Sequence, residues 1–194
     1  MQVLSVQGSP RRQGNTATVL GWVEDELRAG LHEVEHVDIA DCTIGPCMED
    51  LVCQTVMDAP GCSMQDGGPD MFDRILAADL VILASPVFAW GFTAQIKALI
   101  DRCICLCKVP EDNEPVYLLE GKHIALVSTA GGPIEGNMDL LSRVFQCMAE
   151  YMRFKNAGEL LIPSCTTPED LGDDVEEKAR AFAHTIADSI RPPV

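Results

Sequence analysis

The chain has 194 residues, 47% of them hydrophobic, and a formal net charge of −16 at pH 7. This composition predicts one α/β domain over residues 1–194 and excludes nucleic acid and anionic membranes as expected partners, because both are repelled by an acidic surface. No apolar run is long enough to span a membrane. The chain begins directly with strand-like residues and contains nine cysteines. We therefore expect a reducing, cytoplasmic location with free thiols.

Apolar, strand-like segments alternate with amphipathic, helix-like segments along the chain. The continuously apolar segment 80–84 is typical of a central strand that is buried on both faces. This alternation predicts a doubly wound parallel sheet with its ligand beyond the carboxyl ends of the strands. The predicted strands are 2–6, 34–39, 80–84, 123–128 and 158–162, and the predicted helices are 16–29, 70–78, 93–107, 138–154 and 173–190.

The loop between the first strand and the first helix is rich in hydrogen-bond donors. Ser9 and Thr16 supply hydroxyl groups, Asn15 supplies an amide and Arg11 supplies a positive charge. The free N–H groups and the dipole at a helix N-terminus favour an anion at such a position. The loop has neither Gly-Lys-Ser/Thr nor Gly-x-Gly-x-x-Gly, and its donor set favours a terminal phosphate. The alternative is an ordinary strand-to-helix turn with a hydroxyl cap.

Two further loops follow predicted buried strands. Segment 85–92 contains three aromatic residues, which offer a stacking surface for a flat heterocycle, while the backbone of residues 87–91 offers polar groups to its edge. We expect Trp90 to contact a ligand and Phe92 to belong to the core. Segment 129–133 contains two glycines, which allow the backbone to approach a ligand closely, although a plain turn is the alternative.

Three motifs follow one another along the chain: Gly8-Ser9-Pro10-Arg11 with Asn15-Thr16, then Ser85-Pro86-Val87-Phe88 followed by 94–102, and then Ser128-Thr129-Ala130-Gly131-Gly132. In this order they resemble the flavodoxin-like NAD(P)H-dependent FMN reductases, a family that includes the iron–sulfur flavoproteins and is related to the multimeric-flavodoxin quinone reductases. The resemblance covers nearly the whole chain. It implies a five-stranded parallel sheet of order 2-1-3-4-5 with helices on both faces, an FMN cofactor, NADPH or NADH as hydride donor, a quinone, flavin or other small-molecule acceptor, and a homodimer or homotetramer.

The resemblance also implies which residues bind FMN. No catalytic side chain is implied, because the flavin itself carries hydride and electron transfer. Many relatives have a tyrosine where this chain has Phe88, so a proton-donor role there is in doubt. The alternatives are an iron–sulfur flavoprotein and a flavodoxin-type electron carrier that makes no use of NAD(P)H, each passing electrons to a protein partner. The phosphate is assigned to Ser9, Arg11, Asn15, Thr16 and Ala17, the flavin ring to Pro86, Val87, Phe88, Ala89 and Trp90, and its other edge to Thr129, Gly131 and Gly132.

Four cysteines, Cys42, Cys47, Cys53 and Cys62, lie in the predicted loop 41–68. Iron–sulfur flavoproteins have a compact C-x2-C-x2-C-x4–7-C run, whereas here Asp50 takes the second position and eight residues separate Cys53 from Cys62. A cluster needs four ligands. Cluster ligation, redox sensing and a purely structural role therefore stay open, and no metal residue is assigned.

Other cysteines and histidines are expected to be structural. Cys103, Cys105 and Cys107 fall on the predicted helix 93–107, where Cys103 and Cys107 would share a face and Cys105 would not, so we expect core packing for them and for Cys147. His32 and His36 match H-E-x-x-H, but in a strand they would lie about 13 Å apart, which argues against a zinc site.

Overall fold

The computed structural model describes residues 1–110 and 114–190, and it confirms the predicted α/β architecture. Five parallel strands form the main sheet in the order β2-β1-β3-β6-β7, which is the predicted 2-1-3-4-5 order. A separate antiparallel pair is formed by β4 (Cys107–Lys108) and β5 (Val116–Tyr117). The main strands are β1 (Gln2–Gln7), β2 (Glu33–Asp38), β3 (Leu80–Pro86), β6 (His123–Thr129) and β7 (Lys155–Ile162).

Helices cover both faces of this sheet, as expected. On one face α1 (Asn15–Ala29) packs against α5 (Asp173–Ile190). The other face is covered by α2 (Gly68–Ala77), α3 (Ala94–Arg102) and α4 (Asp139–Tyr151). Successive side chains of a strand point to opposite faces of the sheet, so the strands contribute side chains to two buried hydrophobic clusters. None of the described helices is long and apolar enough to cross a membrane.

The strand order places a switch point between β1 and β3. From β1 the chain crosses to β2 on one side, whereas β3 pairs with β1 on the other side, with Gln7 beside Ala84. The loops after β1 and β3 consequently diverge and leave a crevice at the carboxyl edge of the sheet. Ligands of doubly wound sheets bind in such a crevice.

The predicted helix 93–107 is too long. Helix α3 ends at Arg102, residues Cys103–Leu106 form a 3-10 turn, and Cys107 pairs with Tyr117 in β4. Cys103 and Cys107 therefore do not share a helical face, although Cys103, Cys105 and Cys107 are all buried as expected. Local periodicity favoured a longer helix, but the chain leaves the helix through the 3-10 turn and pairs with the strand segment ten residues further on.

The prediction for Cys147 is wrong, because its side chain is exposed on α4. The buried face of α4 is formed instead by Leu141, Phe145 and Ala149, which follow one another at intervals of four residues. The expectation for the H-E-x-x-H segment is consistent with the fold, since His36 lies within β2 and its Nδ1 is 2.7 Å from Oε1 of Glu24 on α1.

Candidate functional site

A cavity of about 470 Å³ lies at the carboxyl edge of the sheet, in the crevice beside the switch point. It brings together three of the predicted loops. Ser9, Arg11, Asn15 and Thr16 line it from the loop after β1, and residues 86–88 line it from the end of β3. Thr129 and Gly131 line it from the end of β6, whereas Ala17, Ala89, Trp90 and Gly132 are not among its lining residues.

The loop after β1 presents an uncapped helix N-terminus to the cavity. The residue before α1 is Gly14, so no side chain caps the first turn, and that turn carries no acidic residue. Ser9 is buried, and its Oγ accepts a hydrogen bond from the Arg11 N–H at 3.1 Å. The first-turn N–H groups and the positive end of the helix dipole are therefore available to an anion.

Two polar side chains tie α1 to the opposite loops. The Oγ1 atoms of Thr16 and Thr129 lie 2.7 Å apart in a buried hydrogen bond, which joins the first turn of α1 to the end of β6. The Asn15 amide nitrogen donates to the Thr167 carbonyl oxygen at 2.9 Å. These contacts fix the relative positions of the strand ends, so part of the predicted donor set also serves to build the cavity.

Gly8 allows the loop to sit close to β3 and α3. Its N–H donates to the Ala84 carbonyl at 2.7 Å, and its carbonyl accepts a hydrogen bond from the buried Thr93 hydroxyl at 2.8 Å. A Cβ atom at Gly8 would lie only 2.2 Å from Cγ1 of Ile96. The residue without a side chain is therefore required here by close packing.

The aromatic loop is a tight turn. The N–H groups of Phe88 and Gly91 each donate to the other residue's carbonyl at 3.0 Å, and the Val87 N–H donates to the Thr129 carbonyl at 3.0 Å. Ala89 and Trp90 at the tip have φ values of 46° and 63°, a left-handed conformation that costs a non-glycine residue about 1–2 kcal/mol. Such strain is characteristic of functional loops.

The aromatic side chains of this loop divide between core, cavity and solvent. Phe92 is buried in the core, which confirms its predicted role. Phe88 lines the cavity and is 51% exposed, so an apolar ring is available at the mouth. Trp90 is 59% exposed and its side chain is not part of the cavity lining. The expected ligand contact of Trp90 therefore stays a prediction.

The segment after β7 forms a fourth wall of the cavity, which the sequence analysis did not predict. Cys165, Thr166 and Pro168 line the cavity from this side. The Cys165 N–H donates to the Ala130 carbonyl at 2.8 Å, which holds the segment against the end of β6. The signal was present in the sequence, because small and hydroxyl residues follow the last parallel strand in the same way as they follow the first.

The cysteine loop surrounds a second cavity, of about 550 Å³, lined in part by Cys47, Cys53 and Cys62. The guanidinium of Arg102, which is 1% exposed, forms an ion pair with Asp66 at 2.6 Å and donates to the Cys62 Sγ at 3.2 Å. Burial opposes ionisation of Asp66, but hydrogen bonds from Arg102 and two backbone N–H groups lower its pKa to about 2.

The side chains of this loop are not arranged as the ligand set of an iron–sulfur cluster. Among residues 1–110 and 114–190, no three His, Cys, Asp or Glu side chains are arranged to hold a metal ion. Cys62 is engaged by Arg102, and the Asp50 carboxylate accepts hydrogen bonds from Ser63 and from the Val52 N–H. A four-thiolate ligand set is therefore not assembled.

Comparison with known proteins identifies the family. Residues 1–166 match the sequence model of the NADPH-dependent FMN reductases. The chain belongs to this family. It is thus an oxidoreductase with FMN and NAD(P)H as cofactors, which confirms the resemblance seen in the three motifs.

Individual relatives of this FMN reductase family member agree with that assignment. An iron–sulfur flavoprotein of Archaeoglobus fulgidus is 29% identical over 192 residues, which cover 97% of this chain and 80% of the relative. An FMN-dependent NADH:quinone oxidoreductase of Leptothrix cholodnii is 32% identical over 150 residues, which cover 68% and 70%. The structure of an FMN-dependent NADH-azoreductase from Bacillus anthracis in complex with FMN superimposes with a TM-score of 0.67 at 10% identity, covering 98% and 99% of the two chains. This last likeness concerns the fold alone.

Proposed function

We propose that FMN binds in the 470 Å³ cavity and passes electrons from NADPH or NADH to a small-molecule acceptor such as a quinone or a free flavin. The observation that carries this proposal is the uncapped N-terminus of α1, which faces the cavity beside Ser9 and Arg11. A helix N-terminus at the switch point of a doubly wound sheet suits the terminal phosphate of FMN.

The phosphate is assigned to the first loop. Ser9 and Thr16 offer hydroxyl groups, and Arg11 offers a local positive charge in a protein whose net charge is −16. Asn15 and Ala17 contribute backbone N–H groups of the first helical turn. This local set of donors compensates for the repulsion that the acidic protein exerts on an anionic ligand.

The flavin ring is assigned to the aromatic loop and the end of β6. Pro86, Val87 and Phe88 supply one wall, and Thr129 and Gly131 supply the other. Within the described residues, the turn uses the N–H groups of residues 87, 88 and 91, which leaves those of residues 89 and 90 for the polar edge of the ring. Ala89 and Trp90 would then bind the ring through their backbone N–H groups, and Gly132 would lie at the rim of the cavity.

Bound FMN supplies the hydride and electron transfer chemistry. The chain holds the phosphate, orients the ring and shields it from water. The apolar ring of Phe88 has no hydroxyl group that could donate a proton, so we assign it a packing role at the cavity mouth. We assign no acid or base, and we place the single domain in the cytoplasm as a homo-oligomer.

The test of this assignment compares two neighbouring arginines. We expect Arg11→Ala combined with Ser9→Ala to raise the FMN Kd about 10- to 100-fold, because a charge-assisted hydrogen bond contributes about 1.5–3 kcal/mol. The control is Arg12→Ala, which removes the same charge from the same loop but from a side chain that pairs with Asp41 and does not line the cavity. Equal FMN affinities for the two variants would show that the phosphate lies elsewhere.

An electron carrier is the second candidate function. It is favoured by the net charge of −16, since acidic carriers dock on basic partner proteins. Anaerobic mixing of the holoprotein with NADPH and with NADH separates the two functions. Rapid bleaching of the flavin absorbance by either nucleotide supports the reductase. If neither nucleotide bleaches the flavin, the result supports the carrier.

A further inference from the structure

The second cavity, of about 550 Å³, contains a set of thiols that the proposed function does not use. Cys47, Cys53, Cys62 and Cys105 all line it, and none of them forms a disulfide. Cys47 is exposed, Cys62 is half-buried, and Cys53 and Cys105 are buried. The four thiols therefore differ in how easily a reagent reaches them.

A buried guanidinium contacts one of these thiols. Arg102 lies in the wall of the cavity, and its Nη2 donates to the Cys62 Sγ at 3.2 Å. Its Nη1 donates to both carboxylate oxygens of Asp66, at 2.7 and 2.6 Å. Reactive cysteines in proteins are partly exposed and lie beside an arginine, lysine or protonated histidine, because the thiolate is the nucleophile. Cys62 has this environment.

The guanidinium of Arg102 also has one donor without a partner. Its Nε is buried and makes no hydrogen bond in the described part of the chain. In a planar guanidinium, Nε and Nη2 lie on the same edge, which can bind two neighbouring acceptor atoms. Since Nη2 binds the Cys62 sulfur, an oxygen atom bonded to that sulfur would lie next to the second donor of this edge.

A second buried cation fixes the backbone next to Cys62. Lys108 is fully buried, and its Nζ donates to the carbonyl oxygens of Cys53 and Pro60 at 2.8 Å each. These two bonds attach the cysteine loop to β4. Because Pro60 is only two residues from Cys62, they help to keep the thiol beside Arg102.

The other thiols of the cavity lack this combination of access and charge. Burial raises the pKa of the Cys105 thiol, which favours its protonated and unreactive form. Cys53 is 7% exposed, so reagents reach it poorly. Cys47 is accessible, but the guanidinium donates to Cys62 instead.

The charge of the cavity wall favours a neutral reagent. Glu49, Asp50 and Asp101 line the same cavity, and the whole chain has a net charge of −16. These carboxylates repel anionic oxidants. Hydrogen peroxide is small and uncharged, so it can enter a cavity with acidic walls.

We propose that Cys62 is a redox-active thiol that hydrogen peroxide oxidises to a sulfenic acid, with Arg102 as its positioning residue. The thiolate sulfur attacks one peroxide oxygen, so an S–O bond forms and the O–O bond breaks. The second oxygen leaves as hydroxide and is protonated to water. The sulfur loses two electrons and the peroxide gains them. One equivalent of an added thiol then forms a mixed disulfide and releases water, and a second equivalent restores the Cys62 thiol.

Oxidation rates at individual cysteines test this assignment. The FMN-loaded protein is reduced, freed of reductant and treated with hydrogen peroxide and dimedone, which traps sulfenic acids, and peptide mass spectrometry follows each site. We expect Cys62 to be labelled about tenfold faster than Cys47. Accessibility alone gives the opposite order, because Cys47 is the more exposed. Labelling of Cys47 at an equal or higher rate would overturn the proposal.

Two substitutions test the part played by Arg102. Arg102→Gln removes the charge, and labelling of Cys62 should slow about tenfold while labelling of Cys47 is unchanged. The matched control is Asp66→Asn, which keeps Arg102, so Cys62 should react at least as fast as in wild type. Far-UV circular dichroism checks that both variants fold, and if Arg102→Gln does not fold, the order of Cys62 and Cys47 in wild type still decides.

Two further results would also overturn the proposal. One is labelling of Cys62 that stays at the wild-type rate in folded Arg102→Gln. The other is iron and acid-labile sulfide in the anaerobically purified protein that Cys62→Ser removes, because the thiol would then be a cluster ligand.

Discussion

Replacement of Gly8 by alanine should damage both the fold and the FMN site. The added methyl group would lie 2.2 Å from Cγ1 of Ile96 and 2.8 Å from the Ala84 carbonyl oxygen. Ile96 is fully buried in α3, and the Ala84 oxygen accepts the Gly8 N–H at 2.7 Å. The methyl group therefore has no free space, and the loop must move away from β3 or α3 must shift.

The magnitude follows from these two contacts. Overpacking of a filled core position costs about 1–3 kcal/mol, and weakening of the backbone hydrogen bond adds about 1 kcal/mol. The expected loss is about 2–4 kcal/mol in the free energy of unfolding. At about 2–4 °C per kcal/mol for a chain of this length, Tm should fall by roughly 5–15 °C. The FMN Kd should rise about tenfold or more, because the phosphate donors lose their common alignment.

Thermal unfolding of the FMN-free protein and a fluorescence titration with FMN measure the two effects separately. The matched control is Gly21→Ala in the interior of α1, where an added Cβ would meet no atom within 4 Å. This variant should be about 0.5–1 kcal/mol more stable than wild type, with unchanged FMN affinity. If Gly8→Ala keeps the wild-type Tm and FMN Kd, the close-packing argument for the loop is refuted.

Two pH-dependent predictions concern paired ionisable groups. The lowered pKa of Asp66, about 2 against an ordinary 3.8, means that its ionised form contributes about 2 kcal/mol above pH 3.8 and that this contribution is lost as pH falls towards 2. Asp66→Asn should therefore destabilise the protein to urea by about this amount at pH 7 and by less in acid; a deficit that persists at pH 2 contradicts the ion pair with Arg102. The hydrogen bond to Glu24 raises the pKa of His36 above 6.5, so its contribution is complete below pH 6.5 and is lost as pH rises through the raised value. The stability advantage of wild type over His36→Gln should shrink between pH 6 and pH 9, and a constant difference would argue against this pairing.

Much of the cavity could be predicted, because the loops that follow parallel strands lie at the same edge of the sheet. Once the strands are recognised and are parallel, their carboxyl ends share one edge, so the segments after β1, β3 and β6 must meet. The four polar residues of the first loop and residues 86–88 do line one cavity. The same logic applied to the last strand would have added Thr166, which was missed only because its segment carries no familiar motif.

The local sequence pattern does not predict how individual side chains are oriented. Trp90 has a left-handed backbone conformation at the tip of its turn and is not among the residues that line the cavity, so its expected ligand contact stays a prediction. Cys147 was expected in the core, yet the register of α4 is set by Leu141 and Phe145 on the other side. The last turn predicted for α3 is replaced because Cys107 pairs with Tyr117.

The sequence by itself determined the alternation of strands and helices through hydrophobic periodicity, and its three motifs carried the resemblance that implied the strand order and the family, because both are local properties that a single chain displays. Only the tertiary structure decided where the first-loop donors point, how Gly8 fits against Ile96 and which face of α4 stays uncovered. These features depend on contacts between segments far apart in the chain, and the free energy of such contacts is not encoded in any one segment.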